Sequence, residues 1–283
     1  MIIIVECGGT KSDWRLLHPD GKIESFETPG FNPVLQPIHE LKDILATLEE
    51  SIRQHPSEVY FFGSGIANAY YRDAVTTVIQ DSLRPSHIET HSDLMAACLA
   101  TSAGKPGFVS ILGTGSNSCF FDGSEIGVKQ PALGYILGDE GAGSQLGKRL
   151  LQAYFYELMP AHLRERWIEK YTIDLPSVLH AVYNAPKVNA YLGSFAEFAI
   201  QYRSDPFIQA LIHLEFNLFI DHHLASYKEA RSLPCHFVGS VAWYLREELS
   251  FCMLAKGFQL GHIVHRPIEH LATHYMKRSK YGE

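Results

Sequence analysis

The sequence predicts an α/β fold made of two halves that repeat one plan. In each half an apolar strand leads into a glycine and threonine turn, a second strand and an Asp-Gly turn, at Asp20-Gly21 and Asp122-Gly123. A later apolar strand stops at Gly-Ser in each half, at Gly63-Ser64 and Gly239-Ser240, before a short His-Ile strand and a helix. In the second half, residues 142–232 contain only scattered glycines and prolines, which favours helices.

The first half is predicted to contain five strands and a helix that begins near Asp93. Short runs rich in apolar and β-branched residues and bounded by turn residues are typical of strands. These predicted strands are Ile2–Val5, Trp14–His18, Lys22–Glu27, Val59–Phe62 and His87–Thr90.

The second half is predicted to contain four strands and a final helix that begins near Pro267, since proline suits the first turn of a helix. We place the domain boundary in the glycine- and proline-containing stretch 101–107, so that the domains are 1–104 and 105–266. The final helix, 267–283, is expected to pack back on the first domain. The predicted strands are Phe108–Leu112, Cys119–Phe121, His236–Val238 and Ile263–Val264.

The order of these elements, rather than sequence identity, supports a repeat. Two ordinary α/β layers that use similar turns remain the alternative interpretation.

Composition excludes several classes of function. The 283 residues include 24 Lys and Arg against 31 Asp and Glu, so the net charge is −7 and nucleic acid is not an expected partner. No apolar run approaches the roughly 18 residues that a bilayer span needs. The five cysteines are scattered without a C-x-x-C pair, which argues against disulfides and iron–sulfur motifs. We therefore expect a cytoplasmic protein that is not attached to a membrane.

Two glycine loops are candidate phosphate-binding turns. Gly8-Gly9-Thr10-Lys11 follows the first strand, with Glu6 at the end of that strand, and Gly113-Thr114-Gly115 follows a strand of the second half. Glycine lets the backbone approach a phosphate closely, and successive N–H groups can bind its oxygens. Each loop alone is equally compatible with a tight hairpin, but two such loops suggest a phosphate chain bound from both sides of an interdomain cleft.

These motifs, with Leu137-Gly-Asp-Glu-Gly-Ala-Gly-Ser144, resemble the BadF/BadG/BcrA/BcrD-type ATPase family of the actin, sugar kinase and Hsp70 superfamily, and most of all its N-acetylglucosamine kinase branch. The resemblance covers nearly the whole chain. It implies two ribonuclease H-like, actin-like ATPase domains with a cleft between them, the second enlarged by helices at about 142–232.

The resemblance also implies a role for individual residues. Gly8, Gly9, Thr10 and Lys11 match the first phosphate loop, Gly113, Thr114 and Gly115 the second, and Gly239 and Ser240 the turn on the adenosine side of ATP. Asp93 matches the catalytic aspartate, although an aspartate there would also cap its helix. Asn32, Asn117 and Asp139 fall in stretches that resemble the sugar contacts, and Glu6 and Asp139 would hold Mg²⁺ through water. The pair Asp139-Glu140 could instead favour the positive end of the following helix.

The expected activity is an ATP- and Mg²⁺-dependent transfer of the γ-phosphoryl group to an amino sugar, with N-acetylglucosamine and its 6-hydroxyl as the leading substrate. An ATPase that drives a partner protein, and a sugar sensor without turnover, remain the alternatives. The helical insert could also form a homodimer surface. His222-His223 is predicted to lie in a long helix, partly exposed and without a functional role.

Overall fold

The computed structural model describes residues 1–53, 56–127 and 130–281, and it divides into two compact units. Unit 1 comprises Met1–Ala100 and the chain from Arg266 onward, and unit 2 comprises Thr101–His265. None of the helices in the described ranges is long and apolar enough to cross a membrane.

The strands, in chain order, are β1 (Ile2–Cys7), β2 (Lys11–Leu17), β3 (Ile23–Pro29), β4 (Glu58–Gly63), β5 (His87–Ser92), β6 (Gly107–Leu112), β7 (Ser116–Phe121), β8 (Pro234–Val238) and β9 (Gln259–Val264).

The helices are α1 (His39–Ala46), α2 (Glu50–Arg53), α3 (Ala69–Leu83), α4 (Asp93–Thr101), α5 (Gly134–Leu137), α6 (Gly143–Phe155), α7 (Ala161–Lys170), α8 (Leu175–Tyr183), α9 (Val188–Ser194), α10 (Ala196–Gln201), α11 (Pro206–Phe219), α12 (Ser240–Tyr244), α13 (Arg246–Ala255) and α14 (Pro267–Tyr281), with a π-helical turn at Ile220–Leu224 and a 3₁₀ turn at Lys228–Arg231.

Unit 1 is built on a sheet in the order β3-β2-β1-β4-β5. Strands β1, β2 and β3 are antiparallel to one another, whereas β1, β4 and β5 are parallel. Side chains of β1 are buried on both faces: Ile3 and Val5 belong to one core cluster, and Ile2 and Ile4 belong to another, with Ile268 of α14. A strand covered on both faces reads as a continuous apolar run, as the start of this sequence does.

Unit 2 is built on a sheet in the order β7-β6-β8-β9, in which β6 and β7 are antiparallel and β6, β8 and β9 are parallel. This is the connectivity of β2-β1-β4-β5 in unit 1, so the two units share one topology. Helices between Gly143 and Phe219 pack on this sheet around a single apolar core. The predicted α/β fold with two sheets, the second enlarged by helices, is confirmed.

Some predicted element boundaries were wrong. Lys11 is the first residue of β2 and Ser116 the first residue of β7, so both glycine turns are tighter than the sequence suggested. The turn at Asp122-Gly123 is followed by a single bridge between Phe121 and Ile126 in the described residues, rather than by a strand like β3.

Candidate functional site

The first glycine loop, Gly8–Thr10, joins β1 to β2 in unit 1, and the carbonyl groups of its first and last residues bond to the protein. Gly8 O accepts the N–H of Phe31 at 3.0 Å, and Thr10 O accepts the N–H of Gly30 at 3.0 Å. Within the described residues, no protein acceptor is found for the N–H of Gly9 or of Thr10. Two successive N–H groups are thus left to bind an anion, as in the backbone nests that bind phosphate.

Gly9 is a position at which the fold itself does not require glycine. A Cβ atom built on Gly9 meets no heavy atom of the described residues within 4 Å, whereas one built on Gly8 lies 3.3 Å from the carbonyl oxygen of Lys11. A Cβ atom on Gly30 would overlap the backbone of Gly8. The missing side chain of Gly9 therefore leaves open space next to the loop's N–H groups, which lets a bound group approach the backbone.

Lys11, which we predicted to contact phosphate, lies in a group of ion pairs. Its Nζ lies 3.0 Å from Glu27 Oε1 and 3.6 Å from Asp13 Oδ2. Arg266 pairs with the same two carboxylates, at 3.0 Å from Glu27 Oε1. A phosphate would have to compete with these carboxylates for Lys11.

Glu6 lies near the end of β1, and its Oε2 accepts the N–H of Ile268, at the start of α14, at 3.0 Å. Burial raises the pKa of Glu6 to about 7; the bond from Ile268 lowers it, and the nearby charges of Asp13 and Asp93 raise it. These neighbouring carboxylates repel further negative charge. A polyphosphate bound here therefore needs a cation between its oxygens and the carboxylates.

Asp93 begins α4 directly after β5, at the strand-to-helix corner where the sequence placed it. Its Oδ1 lies 2.9 Å from the N–H of Leu94. The half-buried carboxylate contributes to the electrostatic environment of Glu6, so the structure brings these two predicted site residues together in unit 1.

Asn32 forms hydrogen bonds within its own loop. Its Oδ1 accepts the N–H of Val34 at 3.0 Å, and its N–H donates to Gln36 Oε1 at 3.0 Å. The absence of a side chain at Gly65, where φ is +78°, makes room for the Asn32 carboxamide. A sugar contact at Asn32 stays a prediction.

The second glycine loop, Gly113–Gly115, joins β6 to β7 in unit 2 and repeats the first. Gly113 O accepts the N–H of Gly143 at 2.8 Å, and Thr114 O accepts the N–H of Ser144 at 3.1 Å. Among the residues that the structure describes, no acceptor is found for the N–H of Thr114 or of Gly115. A Cβ atom on Gly113 meets no heavy atom within 4 Å, so this glycine also borders open space.

Asp139 lies against the end of this loop. Its Oδ1 accepts the N–H of Ser116 at 3.1 Å, and a Cβ atom on Gly115 would lie 2.9 Å from its Oδ2. Asp139 adopts a left-handed backbone conformation, with φ of 58°, which is uncommon for a residue other than glycine. Burial raises the pKa of Asp139, and the bond from Ser116 partly offsets this rise. Asn117 follows in β7, where its Oδ1 accepts the N–H of Ser118 at 2.9 Å.

Gly239 joins β8 to α12 and packs on the second loop. Its φ is 114°, and a Cβ atom there would lie 2.5 Å from the carbonyl oxygen of Leu112. A cavity of about 420 Å³ opens beside this turn within unit 2. Its volume falls in the range of small-molecule sites. The lining includes Gly113, Thr114, Gly143, Ser194, Ser240 and Tyr244.

A second, smaller pocket of about 180 Å³ lies beside Asp139, where Pro131 and Leu133 form an apolar wall. Ser116 also lines it, and its Oγ is buried with no hydrogen-bond partner among the described residues. A buried hydroxyl without a partner costs free energy that a bound polar group would recover.

Glu140 closes this small pocket together with two histidines. Glu140 Oε1 lies 2.9 Å from His222 Nδ1, and its Oε2 lies 3.3 Å from His223 Nε2. Burial acts to raise the pKa of Glu140, but hydrogen bonds from its own N–H and from the two imidazoles bring it below its usual value. Burial also lowers the pKa of His223, and this outweighs the effect of Glu140.

Comparison with solved structures identifies relatives of the whole chain. A candidate N-acetylglucosamine kinase from Porphyromonas gingivalis is 33% identical, with a TM-score of 0.89, over 99% of this chain and 100% of that one. The chain belongs to the family of this candidate N-acetylglucosamine kinase. A second candidate N-acetylglucosamine kinase, from Chromobacterium violaceum, is 20% identical, with a TM-score of 0.71, over 95% of this chain and 96% of that one.

Membership of this family agrees with the actin-like α/β fold that the sequence predicted. No protein-family model and no curated protein sequence matches the chain.

The loops and Asp139 were predicted from the sequence, but the contacts around them were not. The pair Asp139-Glu140 was interpreted as a sugar contact, a Mg²⁺ contact or a charge at a helix end, and His222-His223 as partly exposed residues of a long helix without a functional role. Both histidines lie on the π-helical turn that continues α11, with His222 exposed and His223 buried, and both contact Glu140. Their adjacency was the available signal, but a contact between positions 140 and 222 becomes visible only in three dimensions.

Proposed function

We propose that this protein is an ATP-dependent sugar kinase that transfers the γ-phosphoryl group to the 6-hydroxyl of N-acetylglucosamine. The observation that carries the proposal is the pair of glycine loops. In each loop two N–H groups have no protein acceptor among the described residues, and one glycine, Gly9 or Gly113, borders open space. The two units share one topology, so the two loops occupy equivalent places. The 33% identical relative is a candidate kinase of this substrate. Membership of the wider BadF/BadG/BcrA/BcrD-type family stays a prediction.

The cavity of about 420 Å³ is the proposed nucleoside site. Gly113 and Thr114 of the second loop line it, so a nucleoside there would have its phosphates next to the loop's N–H groups. Ser240 and Tyr244, at the two ends of α12, supply a hydroxyl and an aromatic ring to the lining. Thr10 is exposed on the first loop, where its hydroxyl can donate to a phosphate oxygen.

Glu6 and Asp139 are the proposed acidic partners of Mg²⁺. Each uses one carboxylate oxygen for a backbone N–H, which leaves the other for a water molecule of the ion. In kinase sites Mg²⁺ is held mostly by phosphates and water and neutralises the charge on the phosphate oxygens. No cluster of three or more His, Cys, Asp or Glu side chains suited to a metal ion occurs in the described ranges.

Asp93 is the proposed general base. A sugar hydroxyl is a weak nucleophile at neutral pH, and a carboxylate that accepts its proton typically contributes roughly 10²- to 10⁴-fold. Asp93 sits at the start of α4, half-buried, in the same unit as the first loop. Proton transfer to Asp93 Oδ would accompany attack of the hydroxyl oxygen on the γ-phosphorus, while the ADP oxygen leaves.

Asn32, Asn117 and Asp139 are the proposed sugar contacts. Amide and carboxylate groups bind hydroxyls by directed hydrogen bonds, which discriminate strongly between sugars that present or lack a given group. Asp139 borders the small pocket with the Ser116 hydroxyl, which has no partner in the described part of the chain, and with the apolar wall of Pro131 and Leu133. This combination suits an acetamido group, which has a donor, an acceptor and a methyl.

The test is a coupled assay of ADP release with Mg-ATP and a panel of N-acetylglucosamine, N-acetylmannosamine, N-acetylmuramic acid, glucosamine and glucose. Turnover that requires N-acetylglucosamine, with the 6-phosphate as product by NMR, supports the proposal. Turnover that requires another sugar of the panel supports the kinase activity but shows that N-acetylglucosamine is not the substrate. Hydrolysis of ATP without any sugar dependence would sink the kinase proposal in favour of an ATPase acting on a partner.

A further inference from the structure

We propose that His223 is a positioning residue that, through Glu140, sets the orientation of the Asp139 carboxylate at the small pocket. The inference rests on the proposed function, because Asp139 acts there as a sugar contact.

The geometry begins with the π-helical turn Ile220–Leu224 that ends α11. In this turn the N–H of Ala225 bonds to the carbonyl of Ile220 at 2.8 Å, five residues back. On this wider turn His222 and His223, although adjacent in sequence, both contact the Glu140 carboxylate, one at each oxygen. Single π-helical turns of this kind occur frequently at functional sites.

The His223 ring is fixed by one stacking contact and two hydrogen bonds. It is buried and stacks on Phe219, with ring centroids 4.7 Å apart and planes 11° apart. Its Nδ1 lies 3.1 Å from Ser118 Oγ, and its Nε2 lies 3.3 Å from Glu140 Oε2. An ionised carboxylate only accepts, so Nε2 carries the proton and donates to Glu140, while Nδ1 accepts from the Ser118 hydroxyl.

The line of Ser118, His223 and Glu140 is not a hydrolytic triad. Ser118 is 1% exposed, and its hydroxyl lies against Nδ1 of the buried imidazole. A nucleophile needs access to its substrate, so this hydroxyl anchors the imidazole instead.

The segment that begins at Asp139 is anchored at three consecutive residues. Asp139 accepts from the Ser116 N–H, Glu140 binds the histidines, and Gly141 donates its N–H to Glu215 Oε2 at 3.3 Å. Asp139 has the left-handed backbone, which persists where surrounding contacts hold it. Glu140 is the nearest such anchor in sequence, so loss of its bond to His223, which leaves the bond to His222 in place, loosens the backbone that aims Asp139.

The experiment compares two substitutions of His223, each of which keeps one of the two hydrogen bonds of the imidazole and removes the other. His223→Gln places an amide nitrogen near the position of Nε2 and keeps the bond to Glu140, whereas His223→Asn places a polar atom near Nδ1 and keeps the bond to Ser118. We expect His223→Asn to raise the KM for the sugar about tenfold with the KM for ATP unchanged, and His223→Gln to stay near wild type. His213→Asn is the matched control, since His213 lies on α11 and stacks on Phe251 instead.

A double variant separates positioning from packing. If His223 acts through Glu140, then Glu140→Ala with His223→Asn raises the KM for the sugar no further than Glu140→Ala alone. Additive effects, or equal losses in His223→Asn and His223→Gln, overturn the proposal.

Amide hydrogen exchange keeps this outcome distinct from failure of the proposed function. The Ser116 N–H is bonded to Asp139, so its protection reports directly whether that carboxylate is in place. His223→Asn should lose this protection and His223→Gln should retain it, whether or not the wild type phosphorylates a sugar. Full protection in His223→Asn overturns the proposal, and absence of sugar turnover in the wild type overturns only the function on which it rests.

Discussion

Glu6 and Ile268, 262 residues apart, are joined by a hydrogen bond of 3.0 Å from the Ile268 N–H to Glu6 Oε2. The carboxylate at the end of β1 thereby caps the first turn of α14, whose N–H groups have no partner within the helix itself. The same carboxylate is a proposed partner of Mg²⁺, so the start of the last helix and the candidate site depend on one side chain.

This bond predicts a loss of stability in Glu6→Ala. Removal of the acceptor leaves the Ile268 N–H without a partner, and we expect the free energy of unfolding to fall by about 1–2 kcal/mol. Glu6→Gln keeps an acceptor oxygen and should lose less. Urea unfolding followed by circular dichroism measures both, with exposed Glu50→Ala as control. A Glu6→Ala variant as stable as the control would mean that the cap does not contribute.

The open space at Gly9 and Gly113 predicts that alanine there spares the fold but weakens nucleotide binding. Since a Cβ atom meets nothing within 4 Å at either position, the melting temperature should stay near that of wild type. The methyl group would occupy the space proposed for phosphate, so the Kd for Mg-ATP, measured by calorimetry, should rise at least about tenfold, or about 1.4 kcal/mol.

Gly30→Ala supplies the contrasting control. Its Cβ atom would overlap the backbone of Gly8, and overpacking of this kind costs about 1–3 kcal/mol of stability. Unchanged nucleotide affinity in both Gly9→Ala and Gly113→Ala would show that these loops do not bind phosphate.

Asp93→Asn should separate chemistry from binding. The carboxamide keeps the size of the side chain but cannot accept a proton at neutral pH, so kcat should fall by roughly 10²- to 10⁴-fold. The Kd for Mg-ATP should change little. Asp73→Asn, an exposed aspartate on α3, is the matched control in the coupled ADP assay. Wild-type turnover in Asp93→Asn would remove this residue from the mechanism.

His236 predicts a pH dependence of stability. Burial, and secondly the proximity of His262, lowers the pKa of His236 to about 4, and its Nδ1 accepts the N–H of His262 at 2.9 Å. The unfolded chain binds a proton below about pH 6.5, and the folded chain does so only near pH 4. The contribution of His236 to stability is therefore complete above pH 6.5 and is lost as the pH falls from 6.5 through 4.

Urea unfolding between pH 7 and pH 4 measures this loss. His236→Asn keeps an acceptor atom but does not titrate, so its stability should fall less steeply with pH than that of wild type. Exposed His180→Asn should follow the wild-type curve. Parallel curves for wild type and His236→Asn would contradict the assignment to His236.

The α/β character, the shared order of strands and the two glycine loops were readable from the sequence because they depend on local patterns. An apolar run of five residues, a Gly-Gly-Thr turn and an Asp-Gly turn each constrain a few neighbouring dihedral angles. Asp93 at the start of α4 was predictable for the same reason, since aspartate is favoured where a helix begins. Boundaries at Lys11 and Ser116 were wrong by a few residues because pairing between strands, not local preference, decides where a strand begins.

The sequence alone therefore determined the order of the strands and the places of the glycine loops, but not which glycines the fold itself requires. The sequence does not distinguish Gly9 from Gly30, yet an added Cβ atom would meet open space at Gly9 and the backbone of Gly8 at Gly30. Only the tertiary structure brought Glu140 to His222 and His223, and Glu6 to Ile268. Local sequence fixes dihedral preferences over a few residues, whereas hydrogen bonds and burial across 82 or 262 positions depend on how the whole chain packs.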